Sequence, residues 1–382
     1  MNEHRTDEIP GNNITAHCMH VALTYNQKKE SRPNNVDDLV EPPSTSGFVY
    51  HPVVNDGQPL TPHDDAYAEW DSIETITAVR KAIEEYHTVT MIEADEDAYR
   101  KLILTRPDIV FNIAEGLHGV SREAQIPAIL EYLHIPYTGS DPLTLATTLD
   151  KARTKEILTY HGIPTAKFAV VKNINGVIPK GIKFPCIVKP VHEGSSKGIL
   201  DSSVVKTQKA LSSQVERVVQ TYHQPALIEE FLTGREFTVA VLGNEPDIKI
   251  LPIVEIKFDA LPEGVNRIYS YEAKWIWDQI GHPIDVHECP AKIPAKLEKE
   301  IHEVCRKSYS ILQCRDWCRI DLRLDEKGIP HVMELNPLPG ILPDPEEHSC
   351  FPQAARAAGM SYNELIQKVL EIAIKRYKIT IK

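Results

Sequence analysis

Between Trp70 and Tyr86 the apolar side chains of Trp70, Ile73, Ile76, Val79, Ile83 and Tyr86 recur at steps of three and four residues, one stripe of a helix. Ahead of it, His20–Tyr25 reads as a first strand. Behind it come strand-like Thr88–Ile92, a short helix near Glu96–Leu104, strand-like Asp108–Ile113 and a helix over Arg122–His134. Strands that alternate with helices predict a parallel-sheet α/β domain over residues 17–145. Residues 1–16 read as a mobile polar tail, and the Pro/Asn/Asp/Ser-rich stretch from Gln27 to Asp65 as loop.

The pattern then changes. Short β-branched runs at Ala166–Val171, Cys186–Lys189, Leu227–Phe231 and Phe237–Leu242, with a helix over Val204–Thr221, predict an α+β block at 146–240. A third block at 241–382 holds a strand at Ile248–Lys257, a helix at Ala295–Leu312, strands near Cys318–Leu324 and His331–Leu335, and a last helix at Tyr362–Tyr377.

The strongest chemical pattern lies in that block. Arg319-Ile320-Asp321-Leu322-Arg323 and Met333-Glu334-Leu335-Asn336 alternate apolar and polar residues on either side of a turn near Lys327–Gly328, as a β-hairpin does. Residues two apart share a face, so folding about the turn sets Asp321 opposite Glu334 and Arg319 opposite Asn336; a one-residue slip would reverse a face. Two carboxylates and an amide oxygen suit Mg²⁺, and an adjacent arginine can neutralise developing charge. A solvated amphipathic hairpin would alternate in the same way. Pro337 and Pro339-Gly340, which end the strand and bare backbone N–H groups beside the acids, argue against that simpler reading.

Upstream, Lys189 ends a strand and is followed by Glu193-Gly194-Ser195-Ser196-Lys197-Gly198. Small residues let backbone N–H groups approach phosphate oxygens, although this is neither a Walker A loop nor a dinucleotide fingerprint. Leu227–Leu232 and Thr233–Thr238 read as strand, turn and strand. A free strand edge there could pair with an adenine ring; an ordinary hairpin fits equally well.

Composition narrows the partners. The 382 residues are 42% hydrophobic and 25% charged, enough for a large core. A net charge of −12 with no Lys/Arg run argues against nucleic acid or a membrane surface. There is no apolar stretch of the roughly 18 residues that a bilayer span needs. With no hydrophobic leader, and seven scattered cysteines that read as reduced thiols, a cytoplasmic location is expected. His17/Cys18/His20 and Cys314/Cys318 fall beside strands and read as core packing rather than as a zinc site.

Taken in order, Pro136-Tyr137-Thr138-Gly139-Ser140, Asp150-Lys151 with Lys155, Lys189-Pro190 with Glu193-Gly194-Ser195-Ser196, Gly234-Arg235-Glu236-Phe237-Thr238-Val239, Tyr271-Glu272-Ala273-Lys274, Arg319-Ile320-Asp321 and Glu334-Leu335-Asn336-Pro337-Leu338-Pro339-Gly340 resemble the D-alanine–D-alanine ligase family of ATP-grasp enzymes over about residues 108–375. The resemblance implies a three-domain ATP-grasp fold with an N-terminal parallel-sheet α/β domain. It implies an ATP-dependent ligase that joins a carboxylate to an amine through an acyl-phosphate. Lys155 and Lys189, with Lys151 as the weaker candidate for the first, would contact ATP phosphates under Glu193, Ser195 and Ser196. Glu229, Glu230, Phe231 and Leu232 would hold adenine, Glu236 the ribose, and Lys274 the transferred phosphate. Asp321, Glu334 and Asn336 would hold two Mg²⁺ ions, with Mn²⁺ as the alternative. Arg319 and the Gly340 N–H would stabilise an oxyanion; Ser195, Ser349, Trp275 and His118 would face the amino-acid substrates. A homodimer and a carrier protein are partners the resemblance admits.

This chain departs from the family in three places. The family's Gly-Gly-x-Ser-x-Glu after the first strand is absent, since Leu23-Thr24-Tyr25-Asn26-Gln27 runs on instead. Its His-Gly-x-x-Gly-Glu-Asp-Gly is replaced by Glu115-Gly116-Leu117-His118-Gly119-Val120-Ser121-Arg122-Glu123, and the tyrosine after the lid lysine is Trp275. The expectation is a ligase for a substrate other than D-alanine. D-alanine–D-alanine ligase proper, acylation of a carrier protein and a non-catalytic nucleotide-binding regulator are the rivals.

Overall fold

A computed structural model describes residues 18–28, 67–173, 181–259, 261–262, 264–271, 286–347 and 349–380. The N-terminal part is a three-stranded parallel sheet in the order β2-β1-β3, formed by β1 (His20–Tyr25), β2 (Thr88–Glu93) and β3 (Ile109–Asn112). Helix α1 (Ile73–Glu84) starts at Ser72, whose hydroxyl accepts the Thr75 N–H, and it buries Ile76, Val79 and Ile83, as the three-and-four spacing requires. α2 (Ala98–Thr105) lies between β2 and β3. The expected Arg122–His134 helix opens with a 3₁₀ turn at Arg122–Ala124 and continues as α3 (Gln125–Tyr132).

Two helices that sequence reading did not anticipate follow. α4 (Pro142–Leu149) is capped by Asp141 and has Pro142 in its first turn; α5 (Lys151–Tyr160) is capped by Asp150. Neither shows a clean apolar stripe, because buried Thr144, Thr148, Lys151, Thr154 and Lys155 stand where aliphatic residues would signal a helix.

A four-stranded sheet comes next, in the order β4-β7-β5-β6: β4 (Phe168–Val171), β5 (Cys186–Pro190), β6 (Val204–Val205) and β7 (Ala226–Glu230), backed by α6 (Gln208–Tyr222). The expected helix from Val204 begins at Gln208 because Val204–Val205 pairs with β5 and Thr207 caps the helix. Next, β8 (Glu236–Leu242) joins a different sheet with β9 (Lys249–Ile250), β10 (Val254–Ile256), β11 (His287–Glu288), β12 (Trp317–Leu324) and β13 (Pro330–Asn336), covered by α7 (Ala295–Ile311). Two sequence readings are corrected here. Leu227–Thr238 is no hairpin, since β7 and β8 belong to separate sheets, and β7 pairs on both sides, so its strand has no free edge. The strand expected over Ile248–Lys257 is broken around Pro252, which has no N–H to donate to a ladder.

α8 (Cys350–Ala357) and α9 (Tyr362–Tyr377) close the chain, α9 with a capping box in which Ser361 and Glu364 each receive the other's N–H. They share one core with β1, α1 and β3, through Phe111, Trp317, Phe351 and Leu365. Trp317 meets Phe111 and Phe351 edge-on, with ring centroids 5.7 and 5.8 Å away. The N-terminal sheet is thereby fixed against the floor of the large sheet, and the small and large sheets face each other across a cleft. An isolated bridge ties Thr165, ahead of β4, to Val332 of β13. Among the described residues no helix is long and apolar enough to cross a membrane.

Candidate active site

The hairpin β12–β13 has the register the alternation predicts, Asp321 opposite Glu334 and Arg319 opposite Asn336. What the pattern did not reveal is a bulge. Leu322 pairs with Val332, which leaves Met333 as an extra residue. Strict alternation would put Glu334 on the same face as the core residue Val332. The extra residue reverses the phase, so Val332 and Leu335 both enter the core while Glu334 and Asn336 share the cleft face with Asp321.

There the Arg319 Nη2 donates to Asp321 Oδ2 at 2.9 Å, Thr238 Oγ1 to Asp321 Oδ1 at 2.7 Å and Asn336 Nδ2 to Asp321 Oδ2 at 3.2 Å. Lys151 Nζ lies 3.2 Å from Glu334 Oε2. Burial raises the Asp321 carboxyl above its ordinary range, reinforced by Glu334 and opposed by Arg319. Burial works on Glu334 in the same sense, but Lys151, Lys189 and Arg319 outweigh it and hold Glu334 ionised. An all-oxygen set of two carboxylates and an amide, already balanced by cations, is chemically suited to a hard divalent ion. Among the described residues no three His, Cys, Asp or Glu side chains gather as a metal site, so the amide is needed to complete the set.

Across the cleft, Lys155 and Lys189 converge on Glu229, each at 2.5 Å from one of its oxygens, and Lys155 also donates to Thr165 Oγ1 at 2.7 Å. Burial disfavours ionised Glu229, but the two lysines overcome it and keep the carboxylate charged. The Glu229 side chain therefore ties the lysines together instead of opening toward a ring. Glu230 accepts the Lys183 N–H at 3.2 Å, the Phe231 N–H donates to Pro185 O at 3.0 Å, and Phe231 lies under Arg323, 4.8 Å from ring centroid to guanidinium carbon. Leu232 is half-buried on the same segment. Glu236 pairs with Arg323 at 3.0 Å; burial, reinforced by Asp321 and Glu334, pushes its carboxyl to about 7.

The loop after β5 turns through Ser195 and Ser196 with φ of 49° and 59°, a left-handed backbone that side-chain-bearing residues seldom adopt. Ser196 Oγ donates to Tyr269 O at 2.9 Å, and Tyr271 N–H to Ile199 O at 2.8 Å, so the segment leading to Lys274 is anchored on this loop. Glu193 receives the Gln224 amide at 2.7 Å and Lys197 at 3.2 Å; its carbonyl accepts from Lys151. Lys274 and Trp275 lie outside the described residues. Ser349 Oγ donates to Gly340 O at 3.0 Å and accepts the Leu342 N–H at 3.2 Å, pinning the Pro339–Gly340 turn. His118 stands exposed on its loop, where its carbonyl accepts the Gln125 side-chain amide at 2.8 Å.

Sequence reading missed Glu69 and Arg122. Arg122 Nη2 donates to both Glu69 oxygens at 2.8 and 2.7 Å, and Glu69 Oε1 also accepts the Gly194 N–H at 2.6 Å. A glutamate just beyond the long Gln27–Asp65 stretch thus reaches the phosphate-type loop, a contact over 125 residues that no local pattern announces.

A family model described as "D-ala D-ala ligase C-terminus" matches residues 157–371. The uncharacterised protein y4sG of Sinorhizobium fredii is 38% identical over 269 residues, 70% of this chain and 75% of that protein. A D-alanine–D-alanine ligase of Pelotomaculum thermopropionicum is 31% identical over 315 residues, 80% of this chain and 92% of its own length. In structure, a D-alanine–D-alanine ligase of Bacillus anthracis, solved with ATP, superposes with a TM-score of 0.66 over 94% of this chain and 99% of its own, at 21% identity.

Proposed function

This chain belongs to the D-alanine–D-alanine ligase family, and from that premise we propose that it activates an amino-acid carboxylate other than that of D-alanine and joins it to an amine. It has the ATP-grasp fold of that family and is an ATP-dependent ligase that forms C–N bonds. The observation that carries the mechanism is the pairing of two charge groups across one cleft: Lys155 and Lys189 on the small sheet, and Asp321, Glu334 and Asn336 beside Arg319 on the large one.

In this reading the γ-phosphate of ATP lies between them, with Lys155, Lys189 and the Gly194–Ser196 backbone drawing off its charge. Asp321, Glu334 and Asn336 would hold Mg²⁺, which supplies charge screening between the phosphates and the incoming carboxylate. The substrate carboxylate oxygen forms a bond to the γ-phosphorus while the bond to ADP breaks. Arg319 and the Gly340 N–H then hold the oxyanion as the amine attacks the acyl carbon, and phosphate departs. Water must be excluded throughout, because it would hydrolyse the acyl-phosphate. Glu236 would meet the ribose and Phe231–Leu232 the adenine.

The proposal of a different substrate rests on the first amino-acid pocket. Where the family has its glycine-serine-glutamate motif after the first strand, this chain brings in Glu69 from a later segment and pairs it with Arg122. The relatives that are D-alanine ligases favour D-alanine itself as the second reading. ADP release with MgATP and a panel of amino acids of both hands, with product masses, decides between them. Release that needs both a carboxylate and an amine, and is poor with D-alanine alone, is expected. D-alanine as best substrate on both sides would remove the proposal. Release without an amine would point to a carrier-type acyl transfer instead.

A further inference from the structure

The short segment that carries Glu69 is stitched into the N-terminal part from both sides. Trp70 Nε1 donates to Gly116 O at 2.9 Å, the Asp71 N–H to Asn26 O at 3.2 Å, and the Lys28 N–H to Asp71 O at 2.8 Å. Arg122 stands on a neighbouring turn. Gly116 can lie against it because it lacks a side chain, since a Cβ there would meet the Arg122 carbonyl oxygen at 2.7 Å. From these fixed positions Glu69 and Arg122 reach the loop after β5. Arg122 Nη1 donates to His192 O at 2.8 Å, and Nη2 holds both Glu69 oxygens and stands 3.7 Å from Glu193 Oε2. Glu69 Oε1 takes the Gly194 N–H at 2.6 Å. Three consecutive loop residues thus meet one ion pair, which is buried, with 6% of the Arg122 side chain and 10% of the Glu69 side chain exposed. The path continues to the acids of the large sheet, because Lys151 Nζ donates to Glu193 O at 2.5 Å and lies 3.2 Å from Glu334 Oε2.

Resting on the ligase reading above, we infer that Glu69 and Arg122 are positioning residues for the nucleotide: they set where the phosphate loop sits over ATP and do not contact either amino acid. Glu69 has little capacity left for a substrate ammonium. Oε1 already accepts from Arg122 and from Gly194, and Oε2 from Arg122, which uses three of the roughly four acceptor sites of a carboxylate. Nor does the pair merely join core elements. It ends on the loop that turns through Ser195 and Ser196 in the left-handed region, a strained stretch whose shape needs support from outside. That support comes from the N-terminal part, so the small sheet alone does not fix the loop.

The test uses the intact protein with Glu69→Asp, Arg122→Lys and the two together. Aspartate keeps the charge facing Arg122 but is too short to hold the Gly194 N–H as well. Lysine keeps a cation but has no fork to hold Glu69 and His192 O at once. In each variant the dissociation constant of a non-hydrolysable MgATP analogue, read by calorimetry, should rise about 10-fold with the KM for ATP, while the KM for the amino acid stays within about 2-fold; this is the size of one hydrogen bond to a charged group. The double variant should lose less than the product of the single losses, because both act on one loop. A higher amino-acid KM with nucleotide affinity unchanged would overturn the inference, as would unchanged affinity in variants that melt cooperatively. Should neither variant fold, the wild type decides: without nucleotide the Gly194 amide should exchange slowly, and exchange at the rate of an open loop would overturn the inference. Calorimetry needs no turnover, so a wild type that releases no ADP with any amino acid would remove the ligase reading while the positioning of the nucleotide is still decided.

Discussion

Two groups of charge lie close to Trp317, and they follow opposite rules. At Asp316 every acceptor is used: the carboxylate takes the Gly139 N–H at 2.8 Å, the Asn244 amide at 2.8 Å, and Arg376 through Nε at 2.9 Å and Nη2 at 2.7 Å. Arg376 also donates to the carbonyls of Tyr137 and Gly139, so one ion pair joins the N-terminal segment, the β8–β9 connection and α9. In the pocket behind the Pro339–Gly340 turn, the carboxylates of Asp71 and Glu115 have no hydrogen-bond or ion-pair partner among the described residues. Asp316 is fully buried, whereas Asp71 and Glu115 keep a share of their surface in contact with solvent. The partners differ in the same way: the fully matched charge at Asp316 holds elements together, and the unmatched acids are left to solvent.

The sharpest way to break this contrast is to remove the counter-charge from the matched group. Arg376→Ala leaves Asp316 ionised and buried, and stability measured by urea denaturation should fall by about 3–5 kcal/mol. A loss under 1 kcal/mol would mean the pair is not structural.

At the catalytic cleft the expected effect is on rate instead. Arg319→Lys keeps a positive charge beside Asp321 but loses the fork that holds both oxygens. Its kcat should drop about 10²–10³-fold with the melting temperature nearly unchanged.

In the unmatched group the sign reverses. The folded-state value of Asp71 lies near 7, above its unfolded value, so the native protein binds this proton more tightly than the unfolded chain. No penalty exists below about pH 4; it grows as pH rises toward 7 and is complete above that, at a slope of up to about 1.4 kcal/mol per pH unit. Asp71→Asn should therefore stabilise the ligand-free protein at pH 8 and do little at pH 4. Equal changes at both pH values, read by calorimetry, would contradict the unpaired state of this carboxylate.

The smallest effect concerns the contact between Glu69 and the loop at Gly194. A Cβ at Gly194 would lie 2.5 Å from Glu69 Oε1, the movable end of a side chain. Gly194→Ala should cost about 1 kcal/mol or less and raise the KM for ATP a few-fold, since Glu69 can shift but then loses the Gly194 N–H.

How much of this was legible in the sequence follows from how local each signal is. The helix Tyr362–Tyr377 and the opposition of Asp321 to Glu334 come from periodicity within one or two elements, and the structure has both. The bulge at Met333 was hidden, because an extra residue in a strand has no composition of its own. α4 and α5 were hidden by threonines and lysines that the fold buries for their polar ends. β7 and β8 looked like a hairpin because only five residues separate them, yet each is captured by partners far away in sequence. Glu69, Asp71 and Glu115 come together through tertiary packing alone. The quoted Glu115–Glu123 segment showed that the pocket differs from the family pattern, but not what it had become.

The account depends most on the substrate carboxylate attacking phosphorus in the Lys189–Glu334 cleft. Its most direct test is a turnover with MgATP and a preferred amino acid labelled with oxygen-18 in its carboxylate. If an acyl-phosphate forms there, one labelled oxygen leaves in the inorganic phosphate for each amide made. Phosphate free of label, with amide still formed, would contradict the mechanism.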